Sequence, residues 1–162
     1  EEIYNIPLVA AGPGIACGER TQGRVGLHDL CPTLIEFANA EPIVVPDSRS
    51  CAALLRDPSV CEREFTSGYA EYHGTRFPMA QRIYWQDVWK FVFNGFDYDE
   101  LYNLADDPAE MHNLVRDPEQ ADRIRDMMAQ VWTRLRQTGD RALFNSHYYS
   151  MRFAAVGPNT SE

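Results

Sequence analysis

Asp97–Leu114, DYDELYNLADDPAEMHNL, is the stretch whose reading decides the fold of this chain. Glu100–Leu104 alternates, with Leu101 and Asn103 on one side and Tyr102 and Leu104 on the other, which is the period of a short strand. Asp106-Asp107-Pro108 ends the run, because proline donates nothing to a ladder and biases the residue before it away from helix. Asp107-Pro108-Ala109-Glu110 then predicts a helix start, with Asp107 at the N-cap, Pro108 in the first turn and Glu110 able to reach back. A strand that runs into a capped helical turn is a corner.

Upstream of this corner the chain is aromatic and alternating. The pattern predicts strands over Phe65–His73, Met79–Trp85 and Val88–Asn94, and Asn94-Gly95 is a turn signal. Short links between sequential strands favour an antiparallel meander, with ELYNL as its fourth member. Downstream, Asp117-Pro118 opens the longest helix, expected over 118–138. Ala121, Ile124, Met128, Val131 and Leu135 recur at steps of three and four, and Gly139 is the stop signal. Burying that stripe on the meander predicts a two-layer α+β unit.

The N-terminal part has a different texture. Ile6–Ala11 is short and nearly all apolar, as expected of a strand buried on both faces of a parallel sheet. Asp29 is expected to cap a helix to about Asn39, with Leu30, Leu34 and Phe37 on one stripe. Ser50 is expected to cap a second helix, Cys51–Arg56. This half reads as the end of a larger α/β core, and three parts follow: 1–60 the end of that core, 61–139 a small subdomain, and 140–162 a tail without clean period.

A formal charge of −9 argues against nucleic acid or an anionic membrane as a partner. No apolar run approaches the roughly 18 residues of a spanning helix. The four cysteines, at 17, 31, 51 and 61, form no C-x-x-C pair and have no histidines at ligand spacing. Cys31 and Cys51 are expected as small buried thiols in apolar helices, with a Cys51–Cys61 bridge as the less favoured alternative.

Three stretches together resemble the sulfatase family: ELYNLADDPAEMHNL, the run Ile6–Gly14 (IPLVAAGPG) and Val25–Leu34 (VGLHDLCPTL). They occur in the family's order and cover roughly residues 1–138. The resemblance implies a fold made of the end of an alkaline-phosphatase-like α/β core, then a small antiparallel sheet packed on a long C-terminal helix. It also implies a parent that hydrolyses a sulfate ester, on a carbohydrate among other candidates, using formylglycine and calcium. The formylglycine motif C/S-x-P/A-x-R is missing from the sequence: Cys51-Ala52-Ala53-Leu54-Leu55 lacks its arginine, and Cys31-Pro32-Thr33 has proline misplaced. The family places its nucleophile, its metal-binding segment and a sulfate-contacting lysine upstream of the first matched stretch. The chain is therefore expected to be a C-terminal portion, with no catalytic residue, metal ligand or cofactor of its own and inactive alone. Its expected partners are the N-terminal part of the sulfatase and a small sulfated substrate. Two alternatives stand beside this: a phosphate or phosphonate ester hydrolase of the same superfamily, and a non-catalytic module in which the meander and tail make subunit contacts, as in a homo-oligomer.

Site candidates are few. His28-Asp29 suggests a dyad, but it has no third group, and an N-cap side chain is normally occupied by backbone amides. Lys90 aligns with the family's KY/KF strand and is expected as a solvated or snorkelling lysine. Glu100, Asp106, Asp107 and Glu110 lack the calcium-loop pattern and are read as structural. The substrate-binding candidates are His73 and Arg76, which flank Gly74 at a strand end and suit an anionic substrate.

Overall fold

A computed structural model describes residues 3–74, 80–94, 97–140 and 154–157, without the side chains of residues 60 and 61. The chain divides into two compact units, Glu2–Gly68 and Tyr69–Glu162.

The second unit is a four-stranded sheet in sequential order, β1 (Ser67–Tyr72), β2 (Gln81–Gln86), β3 (Trp89–Asn94) and β4 (Glu100–Asn103). The β2–β3 and β3–β4 pairs are antiparallel, running from Gln86↔Trp89 to Gln81↔Asn94 and from Trp89↔Asn103 to Val92↔Glu100. Only Asp87-Val88 lies between β2 and β3. Asp87 takes the positive φ of 51° that so tight a hairpin needs and that Asp tolerates. The strand order and these two pairings are those the alternation predicts, but β1 starts two residues later than expected; Met79, the expected start of β2, and Gly95 of the expected turn lie outside the described residues. Phe65 ends a 3-10 turn, Glu62–Phe65, and is buried with Cys51 and Leu54 in the first unit instead.

The long helix is Ala121–Thr138, entered through a 3-10 turn at Pro118–Gln120 whose cap is Asp117, accepting from Glu119 N at 2.9 Å. It ends at Gly139, whose φ of 66° is the left-handed cap a glycine supplies without strain. Ile124, Met128, Val131 and Leu135 are buried against Tyr84, Phe91, Phe93 and Leu101, as the stripe predicts; Met127 and Trp132 widen it, while Ala121 is exposed. Each large apolar side chain so buried contributes roughly 1.5–3 kcal/mol. Part of the tail joins this core: Ala154 and Val156 pack on it, and Trp132 Nε1 donates to Val156 O at 2.8 Å.

The corner differs from expectation. Asp107 caps no helix; its carboxylate accepts from Met111 N at 3.0 Å and His112 N at 2.8 Å, closing a turn in which Glu110 has a φ of 57°. A helix has no room here, because the chain must return at once to the edge of β4. Asn113 Oδ1 accepts from Leu101 N at 3.0 Å, and Leu114 N donates to Leu101 O at 2.8 Å. The NL of the motif thus covers an edge that would otherwise be open.

The turn also sends Glu110 onto Lys90. Contrary to the solvated lysine expected, Lys90 is only 4% exposed, and its Nζ donates to Glu110 Oε1 at 2.5 Å. Burial pulls the Glu110 carboxyl up, yet the hydrogen bond and charge of Lys90 help hold it below its ordinary value.

Asp99 closes the β3–β4 loop by accepting from Asn94 N at 2.9 Å. Burial pushes its carboxyl up to about 6, against the lowering effect of the Asn94 amide. The unfolded value is about 3.9. The stability linked to this group is therefore fully present below about pH 4 and is lost as pH rises through about 6. Asp99→Asn keeps an acceptor for Asn94 and removes the charge. After allowance for solvent screening, it should gain on the order of 1–2 kcal/mol at neutral pH. The gain should vanish near pH 4 in urea unfolding at the two pH values. An unchanged pair of midpoints would refute this reading.

In the first unit, a 3-10 turn at Leu27–Asp29 leads into α1 (Leu30–Phe37), followed by α2 (Ala52–Arg56) and α3 (Pro58–Cys61). The expected apolar stripe of α1 is not a buried one: Leu34 is 68% exposed, and Thr33 is the buried position. Cys51 is a buried free thiol 3.2 Å from Thr33 Oγ1, whereas Cys31 is exposed, against expectation. The N-cap of α2 is Cys51, one residue after the expected Ser50, although Ser50 Oγ accepts from Ala52 N at 3.2 Å. Gly23 is needed for close packing, since a Cβ there would lie 2.8 Å from Leu54.

Ile6–Ala11 is not a strand. It belongs to no sheet among the described residues, and Ile6, Leu8 and Val9 are 58%, 51% and 91% exposed. A parallel strand forms only beside partners that complete its ladder, and the described residues offer it none.

Candidate functional site

The candidate site grows from the end of β1. Period-two alternation puts Tyr69, Glu71 and His73 on one side of the strand. Tyr69 packs on the core shared with the long helix, and Glu71 and His73 follow it along the same side of the strand. Gly74 follows with a φ of 74°, in the left-handed region that glycine adopts without strain. Arg76, the other substrate-binding candidate, lies outside the described residues.

Glu71 is the hub. Its Oε1 accepts from Tyr69 Oη at 2.9 Å, and its Oε2 lies 2.8 Å from His73 Nε2. Arg82 Nε is 3.7 Å from Glu71 Oε1. Arg82 is fully buried; its Nε donates to Asp140 Oδ2 at 3.1 Å, Nη2 donates to the same oxygen, and Nη1 donates to Gln81 O at 2.8 Å. Burial, followed by the negative charge of Glu71, raises the Tyr69 hydroxyl far above its ordinary value, so it remains a donor at any physiological pH. The imidazole of His73 is itself exposed. The arrangement holds an exposed ring in one orientation from a buried base of charge.

The sequence reading found His73 and the face it shares with Tyr69 and Glu71; it missed Arg82 and Asp140. One signal was available: in QRIYWQ the arginine falls in alternation with Tyr84, at a core-facing position where a charge requires a buried partner.

His28 and Asp29 do not form a dyad. The Asp29 carboxylate is 4% exposed and accepts from Gly26 N and Arg49 N, both at 2.9 Å, while His28 Nε2 is 3.6 Å away. Asp29 is a staple between loops, using amides other than those of its own helix. Glu100, Asp106 and Asp107 likewise accept structural hydrogen bonds, from Tyr102 Oη, Asn103 Nδ2 and Met111 N. Among the described residues no group of three or more His, Cys, Asp or Glu side chains is placed to hold a metal ion, and no helix is long and apolar enough to cross a membrane.

Comparison with known proteins places this architecture. A candidate sulfatase from Bacteroides thetaiotaomicron superposes with a TM-score of 0.71 over 94% of this chain and 34% of its own, at 21% identity. A 2-O GAG sulfatase gives 0.66 over the same shares, 94% and 34%, also at 21% identity. At that identity the likeness carries the fold alone, which this chain shares with part of each of those proteins. Residues 1–138 match the family described as N-sulphoglucosamine sulphohydrolase, C-terminal, and the chain belongs to that family. Among relatives, it is 31% identical over 158 residues to the uncharacterised sulfatase YidJ of Escherichia coli, covering 94% of this chain and 30% of that protein. It is 30% identical over 141 residues to a choline-sulfatase of Rhizobium meliloti, covering 78% of this chain and 26% of that protein. An uncharacterised protein of Haemophilus influenzae is 33% identical over 119 residues, 72% of this chain and 59% of its own. The chain thus spans less than two thirds of each of these relatives.

Proposed function

We propose that this chain is the C-terminal part of a sulfuric ester hydrolase acting on a sulfated carbohydrate, and that His73 and Arg76 belong to the rim of its substrate pocket. The family match over residues 1–138 is the observation that carries this reading. A carbohydrate substrate is supported by a structural neighbour solved with its substrate D-glucosamine-2-N,6-O-disulfate, with a TM-score of 0.58 over 69% of this chain and 24% of its own. A guanidinium suits a sulfate as a charge-assisted partner, and an imidazole suits a sulfated sugar, accepting from a hydroxyl when neutral and donating to the sulfate when protonated.

In this reading residues 1–60 complete an α/β core, 61–139 form a small subdomain and 140–162 a tail; the two compact units support a division into two, with its boundary between Gly68 and Tyr69. The exposed run Ile6–Val9 would meet the remainder of the sulfatase polypeptide, which supplies the other strands of a parallel sheet. Its apolarity on both faces favours that occupant over water. Calcium and formylglycine are assigned in this reading to the rest of the protein. The formylglycine motif is missing from the sequence, and among the described residues no side-chain cluster is placed to hold a metal ion, which supports that assignment.

The full-length protein, assayed with para-nitrophenyl sulfate, the glucosamine disulfate and matched phosphate esters, should prefer the sulfates. A preference for phosphate would overturn the assignment. The isolated 162-residue chain should show no turnover of the aryl sulfate with calcium present. Turnover that survives repurification would overturn the placing of the nucleophile outside it.

A further inference from the structure

We propose that Glu71 is a positioning residue for substrate recognition, fixing the tautomer and orientation of His73 so that the imidazole Nδ1 faces the substrate. The inference rests on the reading of His73 as a rim residue and adds to it the group that makes the histidine competent.

The geometry assigns each oxygen of Glu71 a separate task. Oε1 is anchored by the Tyr69 hydroxyl at 2.9 Å and faces the Arg82 guanidinium at 3.7 Å. Oε2 is left for His73 Nε2, at 2.8 Å. A carboxylate only accepts, so the bond to Nε2 requires the proton to be on that nitrogen. Neutral His73 then carries its lone pair on Nδ1, and protonated His73 carries a second N–H there, aimed away from Glu71. An exposed histidine otherwise samples several rotamers and both tautomers, and ordering it on binding costs free energy. Here that ordering is supplied beforehand by a chain of contacts that starts at a fully buried arginine held by Asp140. Tyr69 fixes the sense of the chain, because its hydroxyl stays protonated and donates. A surface Glu–His pair lacking this support would be worth little; this one has its carboxylate immobilised on the inner side.

The test is a mutant cycle in the full-length protein, read as kcat and KM for the glucosamine disulfate, with melting temperature recorded for every variant. Glu71→Ala should raise KM about tenfold with a smaller change in kcat, the pattern expected when pre-ordering of a binding group is lost. Glu71→Gln keeps an amide oxygen able to accept from Nε2–H and should stay within about threefold of the parent. His73→Ala should lose about as much as Glu71→Ala, and the double variant Glu71→Ala/His73→Ala no more than His73→Ala alone. If Glu71→Ala leaves KM unchanged, or costs its full factor again when His73 is already alanine, the positioning role is overturned and the rim reading of His73 stands. If His73→Ala itself has no effect, the rim reading fails and this inference fails with it. A Glu71→Gln variant as impaired as Glu71→Ala would overturn the hydrogen-bond basis of the role.

Discussion

Trp132→Ala should destabilise the sheet–helix unit by about 3–5 kcal/mol, the range found when a large aromatic is removed from a packed core. The indole is 1% exposed, its ring centroid lies 6.3 Å from that of Phe93, and its Nε1–H donates to Val156 O. Truncation therefore opens a cavity between helix and sheet and also releases the bond that ties residues 154–157 to the core. Trp132→Phe keeps a ring against Phe93 but leaves the Val156 carbonyl without that donor, so about 1–2 kcal/mol is expected. Urea unfolding followed by circular dichroism measures both. A loss below about 1 kcal/mol for Trp132→Ala would mean that the helix is held chiefly by its other contacts.

The helix was the easiest element to read because its period is local. Ile124, Met128, Val131 and Leu135 announce one face, and Trp132, four residues after Met128 and three before Leu135, lies on the same stripe once its width is allowed for. The meander was legible for the same reason, since alternation is written into each strand. Its limits were set by residues whose environment lies elsewhere. Phe65 continues the alternation of β1 on paper, yet it is drawn into a separate cluster with Cys51 and Leu54. Lys90 reads as a solvated lysine until Glu110, 20 residues on, is brought over it by a turn that the local sequence writes as a helix start. Asp107 and Pro108 do carry the signals of an N-cap. The amides that Asp107 captures belong to a single turn, because Asn113 and Leu114 must bond to Leu101 directly afterwards.

Ile6–Ala11 shows the opposite limit. Its composition is that of a doubly buried strand, but a strand is a property of a sheet, and among the described residues no strand pairs with this run. The site was legible to the extent that it is local. Tyr69, Glu71 and His73 fall together because the strand repeats every two residues. Arg82 and Asp140 do not, since 58 residues separate them and only the finished packing of helix on sheet makes them neighbours.

Asp140→Ala tests that packing where charge is most enclosed, and about 2–4 kcal/mol of destabilisation is expected. Removing one member of a buried ion pair typically costs about 3–5 kcal/mol, because the other charge is left in a poorly solvated place. The figure is lower here because Arg82 retains the Gln81 carbonyl at 2.8 Å and Glu71 at 3.7 Å. That residual attraction has a consequence at the rim. With Asp140 gone, Glu71 becomes the main counter-ion of Arg82 and its hold on His73 should weaken; on the rim role proposed for His73, KM of the full-length protein for the glucosamine disulfate should then rise along with the loss of stability. Arg82→Met in the same background removes the buried charge and keeps much of the volume. The double variant should therefore recover at least half of the lost stability, as measured by urea midpoints. A double variant less stable than Asp140→Ala alone would show that Arg82 contributes through packing and its bond to Gln81 O rather than through its charge.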